Sequence, residues 1–253
     1  MDIIILGSGN VAAVLGRKFK AAGHTIVQIY SRNASAATAL AYEWDAESTN
    51  YKSTIQKTAD VYIIAVNDNA IAEVVDNLFL NGKVVAHTAA SVSSEVLKNV
   101  SQHYGVFYPL QSLRKEMTAL PEVPIFFEGS DAKAKAVLSQ LAQSISPTHN
   151  NVISGDERLK LHVAAVLVSN FTNHLYTLAE AYCQKEGLQF SELLPLIQET
   201  ANRLTHTTPA QAQTGPAIRF DNETIQKHLH LLAQHPHLQQ IYQMLTESIQ
   251  QTK

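Results

Sequence analysis

Cysteine is nearly absent from this chain of 253 residues, which has only Cys183. A single cysteine cannot form an internal disulfide or the paired thiolates of a typical zinc site, and such scarcity is typical of the reducing cytoplasm. Long apolar runs are also missing, since none approaches the roughly 18 residues that a membrane span needs. The opening MDIIILG carries an acid where a secretory signal would be basic. We therefore predict a cytoplasmic protein with no membrane partner.

An excess of positive charge is missing as well, because 19 lysines and arginines face 22 aspartates and glutamates. The net charge of −3 and the pI near 6.4 leave no basic field for nucleic acid. The sequence also lacks a G-x-S-x-G elbow and a P-loop. Its histidine cluster, HLHLLAQHPH at 228–237, is interrupted by Pro236, so we predict a solvated face and no metal site.

The first half of the chain alternates short β-branched runs with helical stretches. The predicted strands are 3–6, 25–30, 61–66, 84–87, 105–108 and 125–128, and the predicted helices are 11–22, 34–42, 70–78, 94–100 and 132–144. Strands that alternate with helices indicate a parallel sheet covered on both faces. We therefore predict an α/β domain over residues 1–150.

The second half has the pattern of helices only, so we predict an all-α domain over 151–253. One long helix is expected from Glu157 to about Gly187, followed by helices at 191–204 and from Asn222 to the end. The middle of the long helix, VAAVLVSNF, is apolar nearly all round, which predicts that it is buried.

The first predicted strand is followed by a G-x-G-x-x-A pattern, Gly7-Ser8-Gly9-Asn10-Val11-Ala12. Gly7 permits the tight turn from strand to helix, and Gly9, which has no β-carbon, lets a pyrophosphate approach the backbone. The N–H groups that open the helix then face an anion. Strand, turn, helix and second strand occur in the required order, which predicts a Rossmann-type dinucleotide-binding domain. We expect Ser8, Asn10 and Val11 to contact the cofactor with the two glycines.

The end of the second strand indicates which dinucleotide is bound. NAD-binding proteins usually have Asp or Glu here, against the ribose 2′-hydroxyl. This chain has Ser31 and Arg32 instead, and a guanidinium can bind a 2′-phosphate through paired hydrogen bonds while a serine donates one more. We predict NADP(H) as the cofactor, with a solvated surface arginine as the alternative. The missing acid also argues against an S-adenosylmethionine methyltransferase.

Two later strand ends belong to the same crevice, because ligands lie outside the carboxyl ends of parallel strands. The predicted strand 61–66 ends with Val66 and is followed by Asn67, and the predicted strand 84–87 is followed by Thr88. Asn67 and Thr88 are candidates to contact the nicotinamide ribose or a substrate. Turn and helix-cap chemistry is the alternative for both.

Four segments carry a resemblance to a known group: GSGNVA, FYPLQSL at 107–113, KLHVAAVLVSNF at 160–171 and TGPAIRFD at 214–221. Together they resemble bacterial Rossmann-like proteins with a DUF2520 domain, which are similar to pyrroline-5-carboxylate reductase, the coenzyme F420-dependent NADP oxidoreductases and the β-hydroxyacid dehydrogenases. The resemblance implies an NADP-dependent oxidoreductase with a helical second domain. It also implies a homodimer, because helical domains of this group interlock.

Polar residues interrupt the long apolar helix. His162 and Ser169 share a face at about 100° per residue, and Asn170 flanks it. The resemblance implies that this helix lies under the nicotinamide crevice, which places all three at the reacting centre. His162 is then the acid that protonates a carbonyl or imine, and Asn170 orients the substrate; a core histidine bonded to a backbone carbonyl is the alternative. The Lys–Asn pair of the β-hydroxyacid dehydrogenases is absent, since Lys160 has Ala164 one turn later.

The segment TGPAIRFD is a second anion-friendly loop. Gly215 shapes it, and Arg219 can pair with a substrate carboxylate or phosphate; the alternative is a purely structural loop in which Asp221 caps the next helix. Proteins of the resembling group usually have glycine at the position of Phe220, so the turn is expected to differ.

These observations predict an NADP(H)-dependent oxidoreductase that moves a hydride between nicotinamide and a small carbonyl or imine substrate. One alternative is a non-catalytic NADP sensor. Another is a degenerate fold whose cofactor pocket is unused.

Overall fold

The computed structural model describes residues 1–117 and 119–252, and the chain divides into two compact units, Met1–Ser169 and Asn170–Lys253. The first unit contains an eight-stranded sheet, and the second is helical. This architecture confirms the predicted fold class. The boundary near residue 150 stays a prediction of where the functional domains meet.

The strands follow the order β3-β2-β1-β4-β5-β6-β7-β8 across the sheet. All neighbours are parallel except β6 and β7, which are antiparallel. Their bounds are β1 Asp2–Leu6, β2 Thr25–Tyr30, β3 Glu47–Thr49, β4 Val61–Ile64, β5 Val84–His87, β6 His103–Pro109, β7 Ile125–Gly129 and β8 Asn150–Val152.

The helices of the first unit are α1 Asn10–Ala21, α2 Ala34–Trp44, α3 Ile71–Val75, α4 Ala132–Ile145 and α5 Gly155–Ala165. A π-helical segment, Val166–Phe171, follows α5. The next helices are α6 Thr172–Lys185, α7 Leu194–Arg203, α8 Pro209–Ala212, α9 Asn222–Leu231 and α10 Pro236–Gln251. In the described part of the chain, no helix combines the length and the apolar character needed to cross a bilayer.

The central strand β1 explains the opening run of isoleucines. Ile3 and Ile5 belong to the core on one face of the sheet, whereas Ile4 and Leu6 belong to the core on the other. All four side chains are fully buried. A continuous apolar run is what a parallel strand needs when helices cover both of its faces.

Several predicted elements differ in extent from those observed. The helix predicted at 94–100 is only a 3-10 turn, Ser94–Leu97, and the helix predicted at 70–78 is reduced to α3. Helix α3 ends early because Asp76 is extended and Asn77 is left-handed, with φ of 57°. Strands β3 and β8 were not predicted, since three residues are too few to show an alternating pattern.

The predicted burial of the long helix is wrong for the isolated chain. Val163, Leu167 and Val168 are more than half exposed, and Arg158 is the one buried residue in α5. An apolar helix needs cover on every side, and the described residues of one chain leave this stretch open. The single predicted helix is also interrupted, because the π-helical segment changes the rotation per residue after Ala165.

The start of α9 combines a conventional cap with an unusual turn. Asp221 accepts a hydrogen bond from the backbone N–H of Thr224, as the capping alternative predicted. The preceding residue, Phe220, is left-handed with φ of 54°, a conformation that favours glycine. The turn therefore has a backbone conformation that favours glycine, although its residue is phenylalanine.

Candidate functional site

A cavity of about 620 Å³ lies at the carboxyl ends of β1, β2 and β4. Its lining includes nearly all the predicted cofactor-binding residues, namely Gly7, Ser8, Gly9, Asn10, Val11, Ser31, Arg32, Val66 and Asn67. The first turn of α1 opens beside it with no acidic side chain and no side-chain cap. The unpaired N–H groups of such a turn favour an anion.

Gly7 is required by the backbone itself. Its φ is +131°, and a β-carbon there would lie 2.1 Å from the carbonyl oxygen of Ala65. Its N–H donates to the carbonyl oxygen of Tyr30 at 2.8 Å. Gly7 therefore allows the ends of β1, β2 and β4 to pack side by side. Any other residue at this position would displace one of these ends.

Gly9 differs from Gly7 because its backbone is ordinary and its surroundings are open. It is extended, with φ of −84° and ψ of −169°, and nothing lies within 4 Å of the position of an added β-carbon. Folding thus does not demand glycine here. The open space above Gly9 is what the approach of a pyrophosphate needs.

Serine hydroxyl groups connect the glycine loop with the end of β2. The Oγ atoms of Ser8 and Ser31 lie 2.8 Å apart, and Ser31 Oγ accepts the N–H of Asn33 at 3.2 Å. The side chain of Asn10 accepts the N–H of Lys115 at 3.1 Å, so it fixes another loop at the cavity. These side chains give the cavity polar groups held in defined positions.

Arg32 is already paired in this structure. Its Nη1 donates to both carboxylate oxygens of Glu73, each at 3.0 Å, and both side chains are nearly two-thirds exposed. Glu73 was not among the predicted site residues. No sequence pattern points to Glu73, because the pair joins residues 41 positions apart, one just after β2 and the other in α3.

Asn67 and Thr88, the two candidates that follow β4 and β5, lie in different surroundings. Asn67 lines the cavity, whereas Thr88 is not among its lining residues. The N–H of Thr88 donates to the carbonyl oxygen of Ile64 at 3.1 Å, and its side chain is buried. The backbone of Thr88 thus continues the pairing of β5 with β4, and its contact with the cofactor or substrate stays a prediction.

His162 faces a second aromatic residue that sequence reasoning missed. The hydroxyl group of Tyr108, at the end of β6, lies 3.0 Å from Nδ1 of His162, and the rings meet edge to face. Burial raises the pKa of Tyr108, so the phenol keeps its proton. Tyr108 lies in the quoted segment FYPLQSL, but only the position of β6 brings it to α5.

Beside this pair, on the same helix, lies a buried polar cluster. Arg158 donates from Nε to the carbonyl oxygen of Ala90 at 2.9 Å and from Nη2 to that of Val92 at 2.7 Å. Its Nη1 is 3.1 Å from Glu128 Oε1, an ion-pair distance without the alignment of a hydrogen bond. The guanidinium thus attaches α5 to the loop after β5 and to β7.

His87 is an uncharged residue near the buried Arg158–Glu128 cluster. It is fully buried, and its burial, reinforced by the positive charge of Arg158, lowers its pKa to about 4. Its Nδ1 accepts the N–H of Ala89 at 3.2 Å, so the ring hydrogen is on Nε2. The ring therefore stays uncharged at neutral pH.

The remaining predicted residues lie farther along the helices and loops. Ser169 is half-buried and Asn170 is exposed, both in the π-helical segment. Gly215 is left-handed, with φ of +105°, and Arg219 is exposed in the loop before α9. Within residues 1–117 and 119–252, no three His, Cys, Asp or Glu side chains are placed to hold a metal ion.

Family models match both parts of the chain. Residues 123–249 match DUF2520, a domain of unknown function. The chain belongs to the DUF2520 family. Residues 2–91 match the family described as NADP oxidoreductase, coenzyme F420-dependent. This match covers the glycine loop and the end of β2.

Solved structures extend the family assignment. BF3122 from Bacteroides fragilis, a proposed NADP oxidoreductase, is 38% identical with a TM-score of 0.90, and the match covers 99% of this chain and 98% of that one. Pyrroline-5-carboxylate reductase from Streptococcus pyogenes has 14% identity and a TM-score of 0.66, covering 99% and 98%. An imine reductase from Myxococcus stipitatus, solved with NADP+, has 15% identity and a TM-score of 0.62, covering 99% and 92%. The last two share the fold. A search of curated proteins finds no match.

These comparisons confirm the predicted family, the predicted class of NADP-dependent oxidoreductase and the predicted cofactor. The individual site residues stay predictions.

Proposed function

We propose that this DUF2520 protein is an NADP(H)-dependent reductase of a small substrate with a C=N or C=O bond. The observation that carries the proposal is the cavity beside the glycine loop, with Arg32 at the end of β2. Two structural neighbours, a pyrroline-5-carboxylate reductase and an imine reductase, favour a C=N bond.

The residues of the cavity fit the cofactor. The open space above Gly9 admits a pyrophosphate, and the first turn of α1 supplies N–H groups to it. Arg32 and Ser31 supply the donors that a 2′-phosphate needs, and no carboxylate follows β2 directly. When bound, the nicotinamide supplies or takes up the hydride.

His162 is the proposed proton donor, and Tyr108 is proposed to hold its ring. The Tyr108 hydroxyl oxygen lies 3.0 Å from Nδ1, where it can accept a hydrogen bond from Nδ1–H of the protonated ring. The Nε2–H group of that imidazolium can donate a hydrogen bond, and then the proton, to the substrate nitrogen or oxygen, which leaves His162 as the neutral Nδ1–H tautomer.

Ser169, Asn170 and Arg219 complete the proposed substrate site. Asn170 is proposed to orient the substrate, with Ser169 beside it. Arg219, in the loop opened by Gly215, is proposed to pair with a substrate carboxylate or phosphate.

The protein is also proposed to form a homodimer through its helices. Val163, Val168 and Phe171 expose 57%, 75% and 57% of their surface in a single chain. Such a run of apolar side chains is typical of a covered interface, and a second copy would cover it. Sedimentation of the full chain should show a species of twice 27.8 kDa; a monomer at micromolar concentration would contradict the dimer.

Cofactor titration followed by a turnover screen tests the proposed function. We expect NADPH to bind more tightly than NADH, and small cyclic imines to be reduced with loss of NADPH absorbance. In Arg32→Ala, the Kd for NADPH should rise about 10- to 100-fold, because a charge-assisted contact is lost, while the Kd for NADH changes little. Binding without turnover of any imine or carbonyl compound would favour a sensor, and no binding of either cofactor would refute the proposal.

Substitutions in the Tyr108–His162 pair test the proton donor. His162→Gln should lower kcat about 100-fold, which is the usual contribution of general acid catalysis, with the Kd for NADPH unchanged. Tyr108→Phe should lower kcat less, because His162 remains but loses the hydroxyl group beside its Nδ1. A His162→Gln protein with normal kcat would rule out the role.

A further inference from the structure

The proposed 2′-phosphate ligand, Arg32, is occupied by a carboxylate of the protein itself. Nη1 of Arg32 contacts both oxygens of Glu73 at 3.0 Å. The backbone of Glu73 is held independently, since its carbonyl oxygen accepts a hydrogen bond from the ammonium group of Lys52 at 2.8 Å. Lys52 also contacts the carbonyl oxygen of Asp76 at 3.2 Å, so α3 is held beside the cavity at both residues.

We propose that Glu73 competes with the cofactor 2′-phosphate for Arg32 and so limits the preference for NADPH over NADH. This inference rests on the proposed function, because it requires that the cavity binds NADP(H). It assigns a specificity-determining role to a residue that does not itself line the cavity.

The competition follows from the chemistry of the guanidinium group. Carboxylate and phosphate are alternative partners for the same N–H donors, and each prefers paired contacts. A phosphate monoester carries about −1.5 to −2 charges at pH 7, so a neighbouring carboxylate also repels it. The NADPH complex must therefore either displace Glu73 from Arg32 or tolerate a carboxylate beside the phosphate. NADH has no 2′-phosphate and meets neither obstacle.

The exposure of the pair limits the size of the effect. The side chains of Arg32 and Glu73 are 64% and 63% exposed, so solvent and salt screen their interaction. A weak pair can be displaced by a phosphate, but the displacement still reduces affinity. The expected effect is therefore a moderate change in the Kd for NADPH rather than a change of cofactor.

Equilibrium binding to four proteins tests the inference: wild type, Glu73→Gln, Arg32→Ala and the double variant, each with NADPH and with NADH. We expect Glu73→Gln to bind NADPH about 2- to 5-fold more tightly, which is the scale of an exposed ion pair, with the Kd for NADH unchanged. The gain should shrink at 0.5 M salt and should be smaller in the Arg32→Ala background. Glu43→Gln is the control, because Glu43 also pairs with an arginine, Arg17, through Nε and Nη2, at a site that does not line the cavity. It should change neither Kd.

The possible results separate the two proposals. If the wild type binds neither cofactor, the proposed function fails and the inference fails with it. If NADPH binds and Arg32→Ala weakens it, but Glu73→Gln leaves the Kd for NADPH unchanged or raises it, only the competition is refuted. A raised Kd would mean that Glu73 holds Arg32 in place for the phosphate. An equal gain for NADH would also refute the competition.

Discussion

In Gly9→Val, we expect NADPH affinity to fall at least about 100-fold while the fold is retained. The valine side chain would occupy the open space above the loop, where the pyrophosphate must approach the backbone. The extended backbone at Gly9 accepts any residue, so the free energy of unfolding should change by no more than about 1 kcal/mol, the cost of a poor helix N-cap. Titration calorimetry with NADPH and thermal unfolding measure the two quantities separately.

Gly7→Ala is the contrasting variant. Its β-carbon would lie 2.1 Å from the carbonyl oxygen of Ala65, so the strand ends must move apart and stability should fall by more than about 2 kcal/mol. Gly23→Ala separates the clash from the backbone strain, because Gly23 also has a positive φ but nothing lies within 4 Å of an added β-carbon. Gly23→Ala should lower the free energy of unfolding by about 1 kcal/mol. Equal unfolding temperatures for Gly7→Ala and Gly9→Val would contradict this division of roles.

In Arg158→Met, we expect the free energy of unfolding to fall by about 3–5 kcal/mol, as for other buried ion pairs that lose one partner. The substitution leaves the carbonyl oxygens of Ala90 and Val92 without their donor and the Glu128 carboxylate without its counter-charge. Arg158 is 1% exposed, so water cannot replace it. Urea denaturation of the full chain measures the change.

Arg203→Met is the matched control for Arg158→Met. Arg203 pairs with Glu199 on the surface of α7 at 3.2 Å, one helical turn away. Loss of this ion pair should lower the free energy of unfolding by no more than about 0.5 kcal/mol. If Arg158→Met cost as little, the buried guanidinium would contribute no more to stability than an exposed one, and the cluster would not be what attaches α5.

Much of the site was predictable because its signal is local. The glycine pattern, the strand before it and the helix after it are adjacent in sequence, and Ser31 and Arg32 directly follow a strand whose bounds were predicted correctly. The carboxyl ends of parallel strands meet at one edge, so the lining role of Asn67 also followed from its place after β4. Thr88, which follows β5, is not among the lining residues of the cavity, so its role stays a prediction.

The long helix shows a different limit. Its apolar composition correctly indicates a stretch that requires cover, but composition does not say whether the cover comes from the same chain. The exposure of Val163 and Val168 shows that it does not come from the described residues of this chain. The π-helical segment was equally unpredictable, because its hydrogen-bond pattern changes with no breaker residue to mark it.

The sequence by itself determined the glycine turn, the alternation of strands and helices and the lack of a carboxylate after β2, because each depends on residues that are neighbours along the chain. Only the tertiary structure decided that Arg32 meets Glu73, 41 residues away, and that His162 meets Tyr108, 54 residues away. These contacts depend on which strands lie side by side and on how the helices pack against them. Spacing along the chain carries no information about either.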